Sequence, residues 1–332
     1  MSSGNSDSTS TSYVSTGHLP SHATVAALVE VAYERFRDNT EGTVSDVYPA
    51  LARVPADGFG LCVIGTNGAV HAAGDWDVLF TVMSVSKPFV FALVCDALGP
   101  DAVRERVGVN ATGLPFNAVA AIERSVHGRT NPMVNPGAIA ATSFVPGSTL
   151  EEKWTFLHEG LSRFAGRPLA INEEVLACAL SSNTRNQAIG QLLRSYGVIG
   201  GDPTEALDLY TRQCSLDVTA KDLAVMGATL GDGGVNPLTK ECVVGPESGK
   251  RALAVMATAG LYEASGDWLY DVGLPGKSGI GGGIVTVSPG KGGLGVFAPR
   301  LDAAGNSVKG QLVARYLSDR LGLSLFASKA EP

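Results

Sequence analysis

Two apolar hairpin signals stand at opposite ends of this chain, separated by a long stretch of helical periodicity, so any sheet they share must be assembled from both ends. Near the N-terminus, Gly58 to Gly65 and Ala69 to Ala73 are joined through Thr66-Asn67-Gly68. Asn-Gly between two apolar runs marks a tight hairpin, because its central residues need a positive φ that these residue types tolerate. Near the C-terminus, Gly281 to Ser288 and Gly293 to Pro299 read as strands joined through Pro289-Gly290-Lys291-Gly292. The expectation is a single antiparallel sheet.

Helical spacing accounts for most of the remainder. Val25, Leu28, Val29, Val31, Ala32 and Phe36 place a helix over His22 to Arg37, ended by Asn39 to Gly42. Ser84 to Leu98 has no internal breaker once Pro88 sits in the first turn, where a missing N–H costs nothing. From about Asp101 to Thr258 the chain is mostly helical, with segments at Leu150 to Phe164, Asn172 to Ser181, Arg185 to Tyr196, Pro203 to Cys214 and Thr219 to Leu230. Asn306 to Leu321 reads as an amphipathic closing helix. This is an α+β pattern: one domain over 21–325, with a sheet lobe at about 40–100 and 258–325 and a helical lobe at about 101–257. The opening MSSGNSDSTSTSYVSTG lacks a basic or apolar leader region, so 1–20 is expected to be a disordered tail, and 326–332 a second tail. There is no internal repeat or long linker.

Composition excludes several function classes. With 332 residues, 45% hydrophobic, the chain can bury a large core. A formal charge of -7 argues against a nucleic-acid surface, which needs clustered Lys and Arg. Five scattered cysteines without a C-x-x-C pair indicate neither a disulfide framework nor a zinc site and fit a reduced, cytoplasmic setting. Five histidines lack ligand spacing, so no metal is expected. No uncharged apolar run reaches the roughly 18 to 20 residues that span a bilayer, so no membrane partner is expected.

Ser84-Val85-Ser86-Lys87 is an S-x-x-K motif, and helical i,i+3 spacing brings hydroxyl and amine onto one face. For the lysine to act as a base its pKa must fall from about 10.4 to near 7, which takes roughly 4 to 5 kcal/mol of differential solvation. Phe80, Met83 and Phe89 are apolar neighbours able to supply it. Alone, the motif also describes many ordinary surface helices. Lys277-Ser278-Gly279, followed by Ile280-Gly281-Gly282-Gly283, resembles the K-[ST]-G strand of serine β-lactamases and penicillin-binding proteins, although a Gly-rich turn reads the same way. Its glycines would let backbone N–H groups approach an acyl oxyanion. Asn131 and Asn135 flank Pro132-Met133-Val134 and offer amides that both donate to and accept from a substrate amide. Tyr210 and Tyr262, taken singly, are more readily core aromatics than catalysts.

Taken together, these segments resemble the serine-dependent glutaminase family. The resemblance runs from about Gly42 to Gly322 through SVSKPF (84–89), TGLPFN (112–117), NPMVNPGAI (131–139), TRNQAIG (184–190), LYTRQCS (209–215), DLAVMGATLGDGGVNP (222–237) and GLYEASGDWLYDVGLPGKSGIGGGIVTVSPG (260–290). It implies a β-lactamase-like fold, a small-molecule amide substrate and a reaction that needs no cofactor, commonly in a homodimer or homotetramer. It also implies Ser84 as nucleophile, Lys87 as base, Tyr210 and Tyr262 as proton carriers, and the Ser84 and Ile280 N–H groups as oxyanion donors. Asn135 and Asn186 would hold the substrate's amino-acid end, with Lys277, Ser278 and Gly279 lining the acyl site.

Three departures bear on substrate choice. The family's ammonium-binding Glu is Ala179 here, after Cys178; its Gln before the serine is Met83; and its Tyr of a Y-I-P segment is Val47, with Tyr48 displaced by one. Losing a desolvated charge contact typically costs about 2–5 kcal/mol. Either Glu173 or Glu174 substitutes, or the pocket takes a less zwitterionic amide. Three functions stay open: glutamine hydrolysis, a related amidase or acyltransferase, and a non-catalytic binding homologue.

Overall fold

The sheet expected from both chain ends has five antiparallel strands in the order Val70–Gly74, Gly60–Gly65, Gly292–Phe297, Gly283–Ser288, Gly276–Ser278. The structure, a computed structural model, describes residues 19–327, so the expected tails fall largely outside the described residues. Leu19, placed in the tail by the sequence, packs against the core. The two hairpins join at the centre of the sheet, where Leu61 pairs with Val296 and Val63 with Leu294.

Alternation along the strands decides what covers each face. Leu61, Val63, Ile284, Leu294 and Val296 point to one side, under Val25 and Val29 of helix His22–Phe36 and Val313 and Leu317 of helix Val308–Leu321. Cys62 and Ile64 point the other way, against Ala224, Val225 and Ala228 of helix Ala220–Gly231. Glycine makes that second packing possible. A Cβ on Gly295 would lie 2.0 Å from the Ala220 carbonyl oxygen, and one on Gly293 would lie 2.4 Å from that of Ala224, so the helix backbone rests directly on the strand.

The helices fall close to their expected bounds, including Leu150–Ala165, Thr184–Ser195 and Pro203–Cys214. Asn172 and Thr219 stand just outside their helices as N-caps, because a side-chain oxygen there satisfies a first-turn N–H: Asn172 accepts from Val175, and Thr219 forms a capping box with Asp222. Gly281 and Gly282 lie in a turn before the strand rather than within it, Gly282 with φ +91°.

One feature departs from the expected helical lobe. Within 101–257, Ala170–Ile171 and Leu216–Val218 are strands, and Leu216–Val218 also pairs with Phe80–Thr81. Two or three residues are too short for a period of two to register in sequence. Even so, this small sheet sets the path into the serine segment, because the Val82 N–H donates to the Leu216 carbonyl at 2.8 Å.

Replacing Gly295 with Val should lower the melting temperature by at least about 4 °C or prevent folding, since overpacking typically costs about 1–3 kcal/mol or more. An unchanged thermal unfolding curve would contradict the direct helix-on-strand contact.

Candidate active site

The chain enters the site under strain. Met83, immediately before the serine, has φ 47°, and its side chain is locked among Leu51, Val175 and Ile280. A left-handed conformation costs a residue with a Cβ about 1–2 kcal/mol, which this apolar packing sustains. Met83–Ser86 then forms a 3-10 turn and Lys87–Leu98 the following helix, with Pro88 in its first turn. The sequence placed Ser84 on the helix itself; the structure places it one turn earlier. Residues three apart eclipse in a 3-10 turn, and the Lys87 N–H donates to the Ser84 carbonyl, so the two residues still follow one another by a single turn, while the Lys87 amine itself is held by Asn135 and Met133.

Lys87 is 1% exposed. Its Nζ donates to Asn135 Oδ1 at 2.7 Å and to the Met133 carbonyl at 3.3 Å. Both partners are neutral, and the Tyr210 and Tyr262 ring centroids each lie 5.8 Å away. Stripped of water and without a carboxylate partner, the amine has its pKa pushed down from 10.5 to about 7.

Around this amine the structure gathers residues from distant parts of the chain. Tyr210, on helix Pro203–Cys214, donates to Asn135 Oδ1 at 3.0 Å. Tyr262, held at φ 60°, donates to the Ser278 carbonyl at 3.4 Å, and its hydroxyl also lies within hydrogen-bond reach of Ser84. Burial raises both tyrosine pKa values, keeping the phenols protonated. Lys277 is fully buried, 4.0 Å from the Tyr262 ring centroid, and donates to the Ser278 carbonyl at 2.6 Å. Desolvation, and next the nearby Lys87, push its pKa well down. Cys214 is the one thiol lining the cavity among the described residues, and burial raises its pKa, so it is a neutral thiol rather than a thiolate.

Ser84 opens onto a cavity lined by seven of the positions singled out in the sequence: Val47, Met83, Asn135, Ala179, Asn186, Tyr210 and Ile280. Lys87, Tyr262, Lys277, Ser278 and Gly279 stand behind its wall. Ser278 donates to Asn306 Oδ1, and a Cβ on Gly279 would lie 3.2 Å from the Ser84 nitrogen, so the chain leaving this strand runs close against the serine turn. The Ser84 N–H, at the start of its turn, has no partner within the turn, and neither it nor the Ile280 N–H donates to a loop among the described residues. Asn131 holds its own loop, accepting from the Met133 N–H and donating to the Asn110 carbonyl. Glu173 and Glu174 are exposed and do not line the cavity; Glu174 pairs with Arg53.

Sequence reasoning missed part of the lining: Phe116, Asn117, Asn183 and Arg185. Tyr48 and Val47 both reach the cavity, so the one-residue displacement does not remove a tyrosine from it. Asn183 continues an amide chain. Asn135 Nδ2 donates to Asn186 Oδ1 at 3.0 Å, Asn186 Nδ2 to Asn183 Oδ1 at 2.8 Å, and Asn183 Nδ2 to Thr211 Oγ1 at 3.0 Å. The three-residue spacing from Asn183 to Asn186 at a helix start was the available signal.

A sheet built from both chain ends, with a cavity serine one turn from a buried lysine, defines the β-lactamase-like class of amidohydrolases. Residues 42–326 match the glutaminase family. The chain is 66% identical over 317 residues to Glutaminase 2 of Yersinia pestis, covering 96% of this chain and 93% of that protein. It is 44% identical over 307 residues to a glutaminase of Colwellia psychrerythraea, covering 92% and 99%. A solved structure described as probable glutaminase ybaS aligns with a TM-score of 0.91 at 41% identity, covering 93% of this chain and 100% of that one. The native form of Mglu aligns at 0.87 and 36% identity, covering 92% and 74%. The chain belongs to the glutaminase family.

Replacing Asn135 with Asp would set a carboxylate against the Lys87 amine and raise its pKa by at least about one unit. NMR titration of the lysine side-chain carbons should show a midpoint near 7 in the parent chain, moved upward in the variant. A parent midpoint above 9 would overturn the neutral-amine assignment.

Proposed function

We infer that this amidohydrolase converts L-glutamine and water to L-glutamate and ammonia through an acyl-enzyme on Ser84. The observation that carries this reading is Lys87: a buried amine whose pKa is pushed down to about 7, so that a large share of it is uncharged at neutral pH, held by Asn135 and one 3-10 turn from a serine that opens onto the cavity. A retired binding site would gain nothing by keeping so costly a group.

In this mechanism the Ser84 oxygen attacks the side-chain carbonyl carbon as its proton passes to the Lys87 nitrogen. The N–H groups of Ser84 and Ile280 receive the developing oxyanion. Collapse breaks the C–N bond, and the departing nitrogen takes the proton back by way of Tyr262 or Tyr210, leaving as ammonia. Water then attacks the Ser84 ester, gives its proton to Lys87, and releases the carboxylate as Ser84 regains its hydrogen. Asn135 and Asn186 orient the amino-acid end. Lys277, Ser278 and Gly279 serve by bracing the strand rather than by touching substrate.

The same machinery suits a related amidase or acyltransferase, a reading favoured by the apolar or small side chains of Val47, Met83 and Ala179 in the cavity. A cytoplasmic setting is supported by five unpaired cysteines and by the lack, among the described residues, of any helix long and apolar enough to cross a membrane. By analogy with the family we propose assembly as a homodimer or homotetramer, which light scattering tests.

Ser84→Ala and Lys87→Met should each lower kcat/KM for ammonia release from glutamine by at least about 1,000-fold, whereas Cys214→Ser should stay within about tenfold. The sign of the pH dependence follows from the base. Protonating Lys87 removes it, so kcat/KM should fall about tenfold per pH unit below a midpoint near 7 and level off above it. A rate independent of pH between 5 and 8, or full activity in Ser84→Ala, would refute the mechanism.

A further inference from the structure

The charge balance of the cavity wall narrows the substrate class. None of the residues lining the cavity is Asp or Glu, and the one lining residue with a permanent charge is Arg185. Its Nε donates to the Asn117 carbonyl at 2.8 Å, which fixes the guanidinium at the rim and leaves its terminal nitrogens uncommitted. It makes no ion pair with a described carboxylate; the acids closest in kind, Glu173 and Glu174, are exposed and outside the lining.

The amide groups tilt the same way. Asn135 Oδ1 already accepts from both Lys87 and Tyr210, which fills its two lone pairs. Asn135, Asn186 and Asn183 each spend one amide N–H on the next member of the chain and keep the other. The wall therefore offers spare N–H donors and one guanidinium. That is a complement for a carboxylate. An ammonium finds neutral oxygens such as those of Ser182 and Thr211, which replace water about one for one and add little net affinity. Only the carboxylate meets an opposite full charge in the lining, that of Arg185, so the carboxylate end dominates recognition.

We propose that the cavity reads the carboxylate of a linear ω-carbamoyl acid and is indifferent to its α-ammonium, so that des-amino amides such as glutaramate are substrates alongside glutamine. This rests on the hydrolase reading above and adds to it the range of substrates. The chemistry is unchanged: water adds across the acyl–nitrogen bond, ammonia leaves, and glutaramate yields glutarate.

The test compares kcat/KM for ammonia release from three amides with the intact chain: L-glutamine, glutaramate, which lacks the amine, and 4-aminobutanamide, which lacks the carboxylate. Glutaramate should fall within about tenfold of glutamine or exceed it, and 4-aminobutanamide should be at least about tenfold poorer than glutaramate, a factor of ten being about 1.4 kcal/mol. Turnover of glutamine more than about tenfold above glutaramate, or 4-aminobutanamide equal to glutaramate, overturns the inference and leaves the hydrolase reading standing. Ammonia from none of the three overturns both. A second variant carries the argument further: Ala179→Glu, which adds a carboxylate to the lining, should raise the glutamine-to-glutaramate ratio by at least about tenfold. If that variant does not fold, the parent comparison decides alone.

Discussion

A lysine amine that has lost its water is the constraint around which this molecule is arranged. Holding Lys87 with a pKa of about 7 rather than 10.5 sets the folded state back by roughly 4 to 5 kcal/mol, a sizeable share of the stability of an ordinary domain. The fold offsets this with groups that bind the neutral amine without restoring its charge. Asn135 and the Met133 carbonyl accept from it, and two tyrosine rings close over it. A carboxylate in the place of Asn135 would be the more stabilising partner and would disable the base. Function and stability pull apart at this one position.

The surrounding architecture brings four separate chain segments to that amine. The serine turn arrives from the N-terminal half, redirected by the Leu216–Val218 strand and bent through a left-handed Met83. Asn135 begins a buried helix, Tyr210 rides on Pro203–Cys214, and Tyr262 lies just ahead of the Gly276–Ser278 edge strand. Lys277, a second buried amine beneath Tyr262, adds a further desolvated donor behind the wall. Glycine lets the chain leaving that edge strand approach the serine turn closely, a Cβ on Gly279 lying 3.2 Å from the Ser84 nitrogen and one on Gly281 2.3 Å from the Thr81 carbonyl oxygen.

Much of this could be read from the residues, and the gaps have physical causes. Hairpins and long helices carry periodicity, so the sheet from both chain ends and helices such as Pro203–Cys214 were legible. Strands of two or three residues carry none, which hid the small sheet beneath Phe80. Left-handed φ at Met83 and Tyr262 is invisible in residue type, because neither is glycine or asparagine. Ser84, Lys87, Asn135 and Asn186 were legible as a motif set; whether a residue lines the cavity or stands behind it was not. Lys277, Ser278 and Gly279 are not among the cavity-lining residues, whereas Arg185 and Asn183, in the same Asn183-Thr184-Arg185-Asn186 stretch, are. Burial depth depends on tertiary packing, which spacing along the chain does not encode.

The most direct measurement is to react the chain with an electrophilic glutamine analogue across a range of pH and locate the adduct by peptide mass mapping. The account predicts a single label on Ser84 whose rate of formation rises through an apparent pKa near 7. A label on Cys214, or a Ser84 adduct forming at the same rate at pH 5 as at pH 8, would contradict it.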